Sequence, residues 1–212
     1  MSNLNPDKAL IFRITHISNV PWLLDHGLHS RNSSTFDPNF RNIGNADLIT
    51  RRHSREVPIA PFGTLSDYIP FYFKPYSIMM YNIHTGYGGI SKVPNEEIVI
   101  LVTSLHRIAE LGQPFVYTNQ HAYPVTAVYF SSLDDLHRVD WPLLQRKDFK
   151  HDPEDPGKKE RYQAEALIYQ HVPVDALMGI VCFNQKAEMQ LQNALKSHNV
   201  TPKLVVKPTW YF

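Results

Sequence analysis

Short runs of β-branched and aromatic residues recur along this chain of 212 residues, but helical stretches do not alternate with them in the rhythm that a parallel sheet requires. Strands are predicted at 9–17, 67–73, 97–102, 115–118, 126–130, 180–183 and 203–206. Helices are predicted at 21–26, stopped by Gly27, from about 104 to 111, stopped by Gly112, and over roughly 185–198 with Met189, Leu191 and Leu195 on its apolar side. The run 78–83 suits a buried helix or a buried strand equally. This mixture predicts an α+β fold on a mainly antiparallel or split sheet. Pro70, inside a predicted strand, marks an edge or bulge because proline cannot donate to the ladder.

The length suits one domain spanning 1–212, with enough chain to build its own core. Two stretches show little periodicity: 29–55, with repeated Asn, Ser and Arg, and 134–159, which contains His151-Asp152-Pro153-Glu154-Asp155-Pro156-Gly157. Loops of that length are more often functional than idle, since some contact must offset the entropy of ordering them. A formal charge of +1 argues against a surface-wide basic field for duplex DNA, yet a local basic strip suffices for a short single strand.

Several function classes lose their support. There is no GxGxxG before a helix, no GxxxxGK[ST], no HExxH and no GxSxG. Cys182 is the only cysteine, so neither an intrachain disulfide nor a thiolate metal site is expected. The 11 histidines are dispersed, with no pair four residues apart to present two imidazoles on one helical face, so no metal is expected. The chain starts without a basic leader or apolar signal core and nowhere has 18 consecutive apolar residues, so a cytoplasmic protein without membrane contact is expected.

One carboxylate stands out. In 158–169 a polar approach gives way to an apolar run with Glu165 at its start. Burying a carboxylate in an apolar wall is costly unless it is partnered or solvated. Spacing alone leaves two readings: an outward-facing side chain on an amphipathic element, or an acid where a strand opens onto a cleft. On a strand, Gln163 would share the face of Glu165.

Further blocks carry a resemblance to a known family. They are Ile14-Thr15-His16-Ile17-Ser18-Asn19, Thr50-Arg51-Arg52-His53-Ser54-Arg55 with Val57-Pro58, Asp67-Tyr68-Ile69-Pro70-Phe71-Tyr72-Phe73 with Pro75 and Ser77, Pro114-Phe115-Val116-Tyr117-Thr118 with His121, Gln163-Ala164-Glu165, and the terminal Trp210-Tyr211-Phe212. In this order the chain resembles the DarT toxins, ADP-ribosyltransferases that use NAD to modify bases of single-stranded DNA and are paired with the macrodomain antitoxin DarG. The blocks look closer to the thymine-modifying branch.

The resemblance implies an ADP-ribosyltransferase-like fold in which a split sheet holds NAD in a cleft. It implies Glu165 and Arg52 as catalytic residues, and Arg13, Thr15, His16, Trp22, Ser30 and Arg52 as contacts of NAD; at 13 some relatives carry histidine. His121, Arg146 and Lys147 are expected to meet the DNA. In 134–159, Arg138, Arg146 and Lys147 interleave with Trp141 and Phe149, a mixture suited to phosphates and stacked bases. An arginine is a poor base at neutral pH, so Arg52 is expected to act through its cation. Two competing readings use the same residues: a non-catalytic single-stranded nucleic-acid-binding module, which needs no Glu165, and an NAD hydrolase without a DNA substrate.

Overall fold

The structure, a computed structural model, describes residues 4–196 and 202–212. The expected end of the last helix, to His198, lies outside the described residues. The strands are β1 (Leu10–His16), β2 (Leu28–His29), β3 (Tyr68–Tyr72), β4 (Ile98–Ser104), β5 (Phe115–Thr118), β6 (Tyr129–Phe130), β7 (Glu165–Tyr169), β8 (His171–Val172), β9 (Gly179–Cys182) and β10 (Lys203–Val206). The α-helices are α1 (Val20–His26), α2 (Ala46–Arg52), α3 (Ile78–Thr85), α4 (Leu105–Glu110), α5 (Trp141–Gln145), α6 (Lys158–Arg161) and α7 (Gln185–Leu195). Eight strands form a sheet in the order β10-β9-β4-β1-β3-β7-β5-β6, and β2 pairs with β8 in a second, small sheet. Only the β9–β10 pair is parallel among the described residues.

The large sheet is split. β1 and β4 pair along their whole length, from Leu10 opposite Ser104 to His16 opposite Ile98. β1 and β3 meet only at Phe12 opposite Tyr72 and then diverge. Pro70 explains the seam. Its carbonyl accepts from Arg13 Nη1 at 2.8 Å, so its ring nitrogen, on the same side of the strand, also faces β1. A ladder there would lack a donor, and proline is tolerated where the strands part.

Local sequence explains the helices beside this seam. Ser77 caps α3 by accepting from the Met80 N–H at 3.1 Å, which decides the ambiguous 78–83 run as helix. α1 stops at Gly27, whose φ is +78°; a Cβ there would lie 2.5 Å from the Val172 carbonyl oxygen, so glycine lets α1 close onto β8. The 29–55 stretch is not wholly irregular. Asn45 accepts from the Leu48 N–H at 2.9 Å and starts α2, which carries Arg52 in its last turn. Its signal was faint because only Leu48 and Ile49 interrupt a polar surface.

Candidate active site

The seam opens into a cleft of about 500 Å3, lined by Arg13 of β1, Trp22 of α1, Ser30 and Phe40 of the following loop, Arg52 of α2, and Ser66 and Pro70 around β3. That volume suits a ligand larger than a single sugar. A smaller recess of about 140 Å3 adjoins it through Arg13, Arg52 and Pro70 and reaches Thr15, Tyr72 and Glu165. The two arginines therefore stand where the compartments meet.

Glu165 opens β7 opposite Tyr72 and is only 1% exposed. The outward-facing reading fails. Its Oε2 accepts from Arg52 Nη1 at 2.9 Å, and its Oε1 accepts from the Ala122 N–H at 3.0 Å, with His121 Nε2 3.6 Å away. Burial pushes this carboxyl up, but Arg52, His121 and the Ala122 N–H outweigh it and hold the group below the ordinary carboxylate range. It is an anion held in a dry place.

Buried polar atoms without protein partners gather along the same cleft: Arg13 Nε, Arg52 Nη2, and the hydroxyls of Ser30 and Ser66. Buried donors normally find acceptors, so four orphans on one wall point to a polar ligand that completes them. Burial, and then the neighbouring Arg52, lower the Arg13 guanidinium to about 10, so it keeps its charge at neutral pH. Two cations side by side make an anion-binding wall.

The remaining expectations divide. Thr15 reaches the recess, but its Oγ1 accepts from Asn19 Nδ2 at 2.9 Å. Trp22 lines the cleft and stacks on His26 with centroids 4.4 Å apart. His16 points elsewhere, with its ring nitrogens 2.7 Å from Ser18 Oγ and 2.9 Å from Glu97 Oε2. Lys147 donates to the Thr209 carbonyl at 2.9 Å and lies 4.0 Å over the Tyr76 ring, and both it and Arg146, just past α5, are exposed.

Two expectations are corrected. The approach to Glu165 is the short helix α6, so Gln163 lies in a turn rather than on β7, and its Nε2 donates to the Lys159 carbonyl at 3.2 Å. The rings of 134–159 do not form an exposed stacking strip. Trp141 is buried, donating through Nε1 to the Leu136 carbonyl at 2.7 Å, and Phe149 packs among Tyr81, Tyr162 and Phe212. Their apolar surface found the core first. Sequence reasoning also missed Ser66, the Ala122 N–H and Lys74; a backbone donor leaves no side-chain signal at all.

A family model described as ssDNA thymidine ADP-ribosyltransferase, DarT, matches residues 12–212. The chain belongs to the DarT family. A DNA ADP-ribosyl transferase of Escherichia coli O127:H6 is 51% identical over 211 residues, spanning 100% of this chain and 97% of the relative. The solved structure of Thermus sp. 2.9 DarT in complex with ADP-ribosylated ssDNA matches with a TM-score of 0.90 at 32% identity, over 98% of both chains. The same protein in complex with NAD+ matches with a TM-score of 0.82 at 32% identity, over 98% of this chain and 99% of the other. A Thermosipho africanus DNA ADP-ribosyl transferase–DNA ADP-ribosyl glycohydrolase fusion protein is 22% identical over 203 residues, 95% of this chain and 49% of the relative. The split-sheet, α+β expectation and the DarT resemblance are both borne out.

Proposed function

We propose that this chain transfers ADP-ribose from NAD to a thymine of single-stranded DNA and releases nicotinamide, with Glu165 and Arg52 at the reacting centre. The observation that carries the reading is the buried Glu165–Arg52 pair, whose second guanidinium nitrogen is left without a partner at the junction of cleft and recess. Family membership and the two Thermus complexes support the reaction class, the co-substrate and the acceptor.

NAD, when bound, supplies the ADP-ribosyl group and a neutral leaving group. As the glycosidic bond breaks, nicotinamide departs with the bonding electrons and positive charge grows on the ribose. A fixed carboxylate at Glu165 stabilises that charge more than it stabilises the ground state, and it needs no reorganisation because Arg52 and the Ala122 N–H already hold it. The new bond forms to a base nitrogen, which loses its proton. The Arg52 cation eases that loss by stabilising the developing anion, and the proton passes to the imidazole of His121, beside Glu165, and from there to solvent. Arg13, Ser30, Ser66 and Trp22 form the NAD wall, and Thr15 borders the recess. His16, turned toward Glu97, serves the strand end rather than the ligand. Arg146 and Lys147, both exposed, serve as outer phosphate contacts, Lys147 held in place by Tyr76 and the Thr209 carbonyl.

Mass spectrometry of an oligonucleotide incubated with protein and NAD separates the readings. A mass gain on DNA supports transfer, nicotinamide release without one supports hydrolysis, and neither supports a silent binding module. We expect strong preference for unpaired DNA, since a ring nitrogen on the pairing edge is hidden in a duplex and extruding the base costs a few kcal/mol. The near-neutral chain offers no broad basic surface to offset that cost. With saturating NAD and fixed salt, one oligonucleotide should react much faster free than annealed to its complement; equal rates would sink this expectation. The Thermosipho fusion supports a DarG-type macrodomain antitoxin as partner, and a DNA substrate implies action in the cytoplasm. Among the described residues no helix is long and apolar enough to cross a membrane.

A further inference from the structure

Lys74, two residues past β3, is completely buried. Its Nζ donates to the carbonyl of Tyr162 and lies 3.9 Å from the Tyr162 ring centroid and 5.4 Å from that of Tyr72. An ammonium in the core is costly unless its donors are met, and here one carbonyl and two ring faces surround it. An apolar side chain would fill the same space without that cost.

What the ammonium joins is specific to the site. Tyr162 closes the turn between α6 and β7, three residues before Glu165. That turn is tight: Tyr162, Gln163 and Ala164 donate back to the carbonyls of Lys158, Glu160 and Arg161. Tyr72 is the cross-strand neighbour of Glu165 and lines the same recess. The two rings that flank the ammonium therefore come from the segment that delivers the carboxylate and from the strand opposite it. The Glu165 charge also favours the protonated lysine, so the two groups feel each other.

We propose that Lys74 is a positioning residue for Glu165: its buried ammonium pins the α6–β7 turn to Tyr72 and places positive charge behind the carboxylate. This rests on Glu165 being the reacting carboxylate. Burial lowers the Lys74 ammonium to about 7, the Glu165 charge opposing the shift, so its charge is present below that pH and lost above it. The groups facing it do not change charge in that window. Burial pushes the phenols of Tyr72, Tyr76 and Tyr162 up, and Glu165 stays ionised. His121, whose Nε2 lies 3.6 Å from Glu165 Oε1, is common to every variant compared below.

The test replaces Lys74 with methionine, which keeps the stem and removes the charge. For Lys74→Met we expect kcat for DNA modification to fall about 10- to 100-fold, as for a displaced catalytic group, with KM for NAD little changed. The midpoint of thermal unfolding should be equal or higher at pH 6, where wild type carries the buried charge. In wild type, kcat should decline as pH rises through about 7, and the ratio of wild type to Lys74→Met should shrink across that window. Unchanged kcat in Lys74→Met would overturn the proposal. If Lys74→Met unfolds instead, Lys74→Gln, a second neutral replacement, takes its place in the same comparison: a ratio to wild type that shrinks through neutral pH supports the proposal and a constant ratio near one overturns it. Glu165→Gln is assayed in parallel. Activity retained there would remove the catalytic reading itself, a result distinct from an active Lys74→Met.

Discussion

Glu165→Gln should lower the rate of DNA modification by about 10²–10³-fold, the usual loss when a fixed group that stabilises transition-state charge is removed. The amide keeps an oxygen for the Ala122 N–H but presents no charge to the ribose. Glu165→Ala is a poorer probe. The carboxylate is ion-paired and 1% exposed, so truncation leaves Arg52 and the Ala122 N–H buried without a partner. Breaking such a pair costs about 3–5 kcal/mol, so Glu165→Ala should also unfold at lower temperature. The pair gives the folded state an acid limb. Because the folded pKa lies below the ordinary 4.5, the stabilisation is complete above that pH and fades as pH falls further, and Glu165→Gln should lack the fade. Rates measured at saturating NAD, beside thermal unfolding from pH 3 to 7, test both statements. Transfer within about tenfold of wild type in Glu165→Gln would exclude the carboxylate from the chemistry.

Arg52→Lys should be nearly as inactive, losing about 10²-fold or more although the charge is kept. One Arg52 nitrogen is engaged with Glu165 at 2.9 Å while the other is buried and free for substrate, a fork that a single ammonium cannot reproduce. Truncation to alanine would also strip Glu165 of its principal counter-charge and raise its pKa, confusing two effects. The lysine variant avoids this. Its NAD affinity reports where the free nitrogen works: affinity retained places it on the acceptor base, affinity lost places it on the NAD pyrophosphate. Near-normal transfer in Arg52→Lys would show that charge alone suffices and that the fork is irrelevant.

The sequence by itself determined the ingredients. Alternation and β-branched residues located most strands, Gly27 and Gly112 marked helix ends, and the ordered blocks around Thr15, Arg52, His121 and Glu165 identified the family and its chemistry. Proline chemistry flagged an irregularity at Pro70, expected as an edge or bulge; the structure places it on an interior strand, where β1 and β3 part. Tertiary structure decided which side chains were free to act. Trp141 and Phe149, suited in sequence to stack on bases, were drawn into the interior because burying a ring stabilises the fold wherever a core is near. His16, inside a family block, was taken by Glu97 from the neighbouring β4 side. Glu165 acquired its charge state from Arg52, which lies 113 residues away in the chain. Lys74 became a buried cation only because Tyr72 and Tyr162 closed over it. Local propensity is written in neighbouring residues, whereas pairing, burial and pKa depend on groups that folding brings together from distant parts of the chain.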